Sequence, residues 1–349
     1  MVAVVEVRRG DAIESLHRVH LAVADATGRV VAGAGDAGFV TFARSVLKPL
    51  QALPLLRAPG FGKLGLEPRE IAVAMASHSG EAGHVEAVRA LLAKGGVEEE
   101  RLACGAHAPY HAPTAARLGD GRALAIHNNC SGKHAAMLVA CRLNGWSLEG
   151  YLDPAHPLER AIAEAVARYS GLRLDALRWG VDGCGAPNAA LPLRSLATAL
   201  ARLGRVDAWR DAPPKDAEAL APLFAAWGGS PWHVAGTGRF DTDLMEASEG
   251  RLLAKAGGEG IEGVIDLETG RALVVKVEDG AWRAVPPAVV EACRQLAWLD
   301  PRALEVLGEW WRPAVPNHAG AIVGRLEPRL SVAEQAPALG GHGDPQLGR

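Results

Sequence analysis

The stretch His127-Asn128-Asn129-Cys130-Ser131-Gly132-Lys133-His134 constrains this chain most. Eight polar or small residues in a row make a poor core, yet apolar runs flank them: Ala123 to Ile126 before, Ala135 to Cys141 after. The first run reads as a strand. The second is a strong helix former that should stop at Asn144-Gly145, with glycine in the left-handed position after the last turn. The stretch is therefore expected to be a strand-to-helix junction, where backbone N–H groups favour negative charge.

Other junctions share this style. The apolar run Ile71 to Ala76 breaks into Ser77-His78-Ser79-Gly80-Glu81 before a helix expected from about His84 to Lys94. Trp179-Gly180-Val181 enters Asp182-Gly183-Cys184-Gly185-Ala186-Pro187-Asn188, and Gly236 to Thr242 forms another polar loop. Between them, Leu16 to Val23 and Arg29 to Gly33 read as a hairpin about the turn Asp25-Ala26-Thr27-Gly28. A buried helix is expected to begin near Ser45, with Pro49 in its first turn or kinking it. Helices are expected at Pro157 to Tyr169, Pro192 to Leu203, Asp216 to Trp227 and Pro287 to Trp298. Gly263 to Asp266 and Ala272 to Val277 form a strand pair about the turn Glu268-Thr269-Gly270. There is no internal repeat. Residues 1–333 are expected to form one catalytic domain of two intimately packed subdomains, and 334–349, rich in Gly and Pro, a loose tail.

Composition narrows the function classes. The 349 residues are 49% hydrophobic and 22% charged, enough for a large core. A net charge of −3 and the lack of a basic stripe with interleaved aromatics argue against nucleic acid. No apolar run reaches the roughly 20 residues of a membrane helix, and the N-terminus lacks the order of a signal peptide, so a cytoplasmic protein is expected. Cys104, Cys130, Cys141, Cys184 and Cys293 are then free thiols or metal ligands rather than a disulfide framework. Only seven of the 37 basic residues are lysines. A lysine kept inside a polar motif stands out, because a buried lysine can lose its proton and an arginine cannot.

Ser45-Val46-Leu47-Lys48 places a hydroxyl and an amine three residues apart on one helix face, where a neutral Lys48 can take the Ser45 proton. By spacing alone, an ordinary helix with a solvated lysine fits as well. Lys255-Ala256-Gly257 is similar to the Lys-Thr-Gly element of penicillin-recognising enzymes, but a plain β-turn is the simpler reading. Ser131-Gly132-Lys133 is not a phosphate loop, since His127 and His134 stand where that motif needs glycine and Ser or Thr. Cys130 and Cys184 can supply two zinc ligands or remain two buried thiols. Asp182, Arg239, Asp241 and Glu259 can hold the charged ends of an amino acid or form surface ion pairs.

Taken in order, Arg44-Ser45-x-x-Lys48-Pro49-x-Gln51, Ser77 to Glu81, His127 to His134, Asp182-Gly183-Cys184-Gly185-x-Pro187 and Arg239-Phe240-Asp241-Thr242 resemble the asparaginase II family, the Rhizobium-type L-asparaginases. The resemblance runs from about residue 10 to 327. Many members have glycine where this chain has Ala136. The resemblance implies an α+β fold like serine β-lactamases and glutaminases, an antiparallel sheet flanked by helices with a helical subdomain. It implies two Ser–Lys pairs, Ser45 with Lys48 and Ser77 with Lys255, and a zinc ion held by Cys130, Lys133 and Cys184. It also implies a homodimer acting on L-asparagine, with Arg44, His78, Asp182, Arg239, Asp241 and Glu259 around the substrate and backbone N–H groups on the oxyanion. Two other readings stay open: a β-lactamase or peptidase-like acyl hydrolase, and a zinc-binding protein without catalysis.

Overall fold

The computed structural model describes residues 2–334. Its main sheet is antiparallel, built from β1 (Val4–Arg9), β2 (Ala12–Ala24), β3 (Val30–Ala34), β7 (Leu252–Gly257), β8 (Ile261–Asp266), β9 (Arg271–Val277), β10 (Ala314–Pro316), β11 (Ile322–Arg329) and β12 (Ala333–Glu334). The order is β10-β11-β1-β2-β9-β8-β7, with β3 pairing β2 and β12. A smaller sheet joins β4 (Val40–Phe42), β5 (Arg178–Val181) and β6 (Pro187–Pro192) in the order β4-β6-β5.

Sequence pattern explains which strands are central. Val5 and Val7 of β1 are buried while their neighbours are partly exposed, the alternation of a strand with one wet face. β7, β8 and nearly all of β9 are buried along their whole length. Cover on both faces requires that, and it comes from α8 (Leu193–Gly204) on one side and α12 (Val285–Gln295) on the other.

The remaining helices follow the chain as α1 (Lys48–Gln51), α2 (Leu53–Leu56), α3 (Pro68–Val73), α4 (Ala82–Lys94), α5 (Ala112–Leu118), α6 (Ser131–Asn144), α7 (Pro157–Ser170), α9 (Asp216–Gly229), α10 (Pro231–Val234), α11 (Phe240–Ala247), α13 (Pro301–Val306) and α14 (Gly308–Trp311). The hairpin forms as its alternating residues require, and β8 and β9 pair about the turn at Glu268-Thr269-Gly270. α6 ends where expected, with Gly145 at φ +69°.

Four expectations are corrected. The run before His127 is no strand: Ala125–His127 form a 3₁₀ turn, because its three or four apolar residues find no sheet edge to pair with. The helix at Ser45 is broken into a 3₁₀ turn (Arg44–Leu47) and α1, with Pro49 in the first turn of α1. Lys255-Ala256-Gly257 is not a β-turn but the buried end of β7. Glu334 pairs into β12 rather than opening a loose tail, and residues 335–349 lie outside the described ones. No helix among the described residues is long and apolar enough to cross a membrane.

Candidate active site

Two glycines let the polar junctions meet. A Cβ on Gly132 would stand 2.1 Å from the Val73 carbonyl oxygen, so only glycine lets the start of α6 sit against the end of α3. A Cβ on Gly263 of β8 would stand 2.8 Å from Val46 and 2.6 Å from Leu200. That glycine admits the Arg44–Leu47 turn and α8 onto the same face of the sheet. Lys255, the residue opposite Gly263 on β7, shares that face and reaches the junctions.

The loop after α3 is buried throughout and carries Ser77 into the centre. Its backbone is held by Ser77 N–H on the Val234 carbonyl and His78 N–H on the Asn129 carbonyl. The Ser77 hydroxyl oxygen accepts from two amines, Lys48 Nζ at 3.1 Å and Lys255 Nζ at 3.0 Å. Lys48 also donates to the Ala76 carbonyl at 2.5 Å, and Lys255 to the Ala256 carbonyl at 2.8 Å. Both lysines are fully buried. Burial, the dominant influence, lowers the proton affinity of each; Lys255 falls to about 8 although Asp241 pulls the other way.

The implied pairing of Ser45 with Lys48 takes a different form here. Lys48 spends its amine on Ser77 and Ala76, and among the described hydrogen bonds none involves the Ser45 hydroxyl. Ser45 lies one turn before Lys48, half-buried, beside Arg44, whose φ of +51° is a left-handed conformation that non-glycine residues adopt at a cost. Arg44 is held by its backbone N–H on Asn188 Oδ1 and by its guanidinium on Asp182 at 2.8 Å, with Glu259 4.0 Å away.

The other proposed site residues divide into two groups. Arg239 reaches the Ser77 carbonyl at 3.5 Å and Ser79 Oγ at 3.4 Å, and lies over the Tyr110 ring, so it faces the same centre. His78 and Asp241 sit behind it. The His78 ring pairs with Ser131 Oγ at 2.9 Å, and burial keeps it neutral. Asp241 is buried and accepts the Ala256 N–H at 3.1 Å.

Cys130 at the start of α6 and Cys184 in the β5–β6 loop come together, although far apart in sequence. Each cysteine acts on the other: Cys184 draws the Cys130 pKa well below its usual value, and Cys130 raises that of Cys184. Lys133 Nζ donates to Cys184 Sγ at 3.1 Å. Burial opposes the Lys133 charge, but the two cysteines outweigh it and hold its pKa up. His134 Nδ1 meets the Tyr151 hydroxyl at 2.7 Å, while its Nε2 is buried with no hydrogen-bond partner. Among the described residues no three His, Cys, Asp or Glu side chains gather as a metal set. Two thiols, a buried amine and the unpartnered nitrogen of His134 nevertheless form a compatible donor set, provided Lys133 sheds its proton.

Residue-by-residue reasoning passed over Asn188, which fixes the Arg44 backbone, and Glu262, a fully buried carboxyl on β8. A charge inside the apolar run Ile261 to Ile265 was the available signal for Glu262.

No curated protein matches this chain. Among solved structures, a β-lactamase from Mycobacterium bovis aligns over 84% of this chain and 94% of its own, at 18% identity and a TM-score of 0.39, a likeness too loose to bear on the reaction. The family model for L-asparaginase II matches residues 5–328. That match takes in nearly the whole chain, which belongs to the L-asparaginase II family, a family of amidohydrolases.

Proposed function

We propose that the protein hydrolyses L-asparagine to L-aspartate and ammonia through an ester on Ser45. The observation that carries this reading is the Ser77 hydroxyl held between the amines of Lys48 and Lys255 at 3.1 and 3.0 Å. A buried hydroxyl between two amines of lowered proton affinity is a proton conduit, and Lys48 stands one turn from Ser45. Neutral Lys48 takes the Ser45 proton as Oγ attacks the side-chain amide carbon. The C–N bond breaks, and a proton passed through Ser77 from the lysine pair leaves with the nitrogen as ammonia. Water then cleaves the β-aspartyl ester by the reverse proton path.

Arg239 and the Arg44–Asp182 pair supply the opposite charges that an amino acid's carboxylate and ammonium ends need, with Glu259 at the rim. Cys130, Lys133 and Cys184 would hold a zinc ion. Bound there, zinc would order the edge of the pocket and screen the thiolate charge.

One observation favours a second assignment: Ser77, not Ser45, touches both lysines, which would suit it as nucleophile. Labelling with an asparagine-shaped electrophile followed by peptide mass mapping separates the two. Modification on Ser45 is expected, and modification on Ser77 alone would exchange their roles. Hydrolysis of a chromogenic β-lactam without ammonia release from asparagine would instead favour the β-lactamase-like reading, and tight zinc binding without turnover the non-catalytic one.

A further inference from the structure

Behind Lys255 lies a second polar centre. Glu262 of β8 and Asp241 of α11 are both at most 1% exposed. Asp241 Oδ2 accepts the Ala256 N–H at 3.1 Å, but Asp241 Oδ1 and both Glu262 oxygens are buried without a donor from any other described group. Three unpartnered carboxyl oxygens in one place would be costly if both acids were ionised. The two acids act on each other as buried neighbours, and a proton held on one of them would satisfy oxygens that no other group reaches. Burial, and then the neighbouring Asp241, push the Glu262 acid well above the usual carboxyl range.

Strand register explains why this matters to the reaction. Ala256 pairs with Glu262 and Lys255 with Gly263, so Glu262 occupies the face opposite the Lys255 side chain. Ala256, its partner in the register, is the residue whose N–H Asp241 accepts. The residue between the two faces is gripped twice: its N–H goes to Asp241, and its carbonyl accepts from Lys255 Nζ. Asp241 and Glu262 thereby connect to the amine that touches Ser77. Arg239 and Lys255 are the cations near Glu262, and the Cys293 thiol of α12 is close to it.

We propose that Glu262 is a positioning residue: as a protonated acid it donates to Asp241, fixes that carboxylate on the Ala256 N–H, and so holds Lys255 in place on Ser77. This rests on the amidohydrolase reading of the Ser77 centre. In Glu262→Met, kcat for ammonia release from L-asparagine is expected to fall about tenfold or more, with KM changed by less than about threefold. Glu262→Gln, which keeps an N–H donor toward Asp241, is expected to recover kcat to within about threefold of wild type. Loss of the fold alone would lower active protein in both variants without that recovery. Infrared difference spectra of wild type minus Glu262→Gln at pH 7, without substrate, supply an activity-independent reading: a protonated-carboxyl C=O band is expected. Absence of that band, or Glu262→Met with wild-type kcat, overturns the proposal. No ammonia release by wild type would instead overturn the asparaginase reading, and the infrared band would still decide the state of Glu262.

Discussion

Replacing Lys255 by Met should make stability respond to pH in a way that isolates this one amine. Lys255 is fully buried and its pKa drops from 10.5 unfolded to about 8 folded, chiefly through burial. Between these values the unfolded chain binds the proton and the folded chain does not, so wild-type stability gains from this group as pH rises through the window. Below about pH 8 the folded protein carries the full penalty. From pH 8 to 9.5 the gain is one and a half pH units at about 1.4 kcal/mol each, about 2 kcal/mol. Lys255→Met has no such term, so the stability of the variant relative to wild type should fall by about 2 kcal/mol between pH 7 and pH 9.5. Urea unfolding of both proteins at both pH values measures it, and alkaline titrations remote from this centre cancel in the difference. At pH 7 relief of the penalty is offset by the donors lost to Ser77 and to the Ala256 carbonyl, so the pH change is the informative quantity. Equal differences at pH 7 and 9.5 would refute the claim that Lys255 is an amine of lowered proton affinity.

Other substitutions probe the rest of the site. Gly132→Ala forces a Cβ against the Val73 carbonyl and should cost about 2 kcal/mol or more in urea unfolding, since neither backbone can yield easily. Ser77→Ala should lower kcat by about two to three orders of magnitude with little change in KM, as loss of a proton relay would. Arg44→Ala removes the partner of Asp182 and should raise KM for asparagine more than it lowers kcat, read from steady-state ammonia release. Elemental analysis of purified protein should find zinc in wild type and none in Cys130→Ser; equal zinc in both would refute the metal assignment.

Much of this architecture was legible in residue order. Alternation in β2, turn residues at Asp25 to Gly28, and Gly145 after α6 set local structure that tertiary packing then kept. The polar junctions were legible as junctions because eight polar residues cannot sit in a core unless they face one another. Which partners they chose was not. Lys48 is one turn from Ser45 in sequence but donates to Ser77, in the loop after α3; the seating of α6 against the end of α3 at Gly132 is a long-range contact that no local pattern encodes. Lys255 looked like a turn residue since Gly257-Gly258 follows it, yet cover on both faces makes it strand. β5 and β6 escaped notice because Gly180, Pro187 and Pro192 read as loop residues, and proline is tolerated there at strand ends.

The most direct test of the central claim is ammonia release from L-asparagine by wild type and by Ser45→Ala, at equal concentrations of folded protein. Wild type should release ammonia, and Ser45→Ala should be slower by on the order of 10⁴-fold. Wild-type release by Ser45→Ala would contradict the account.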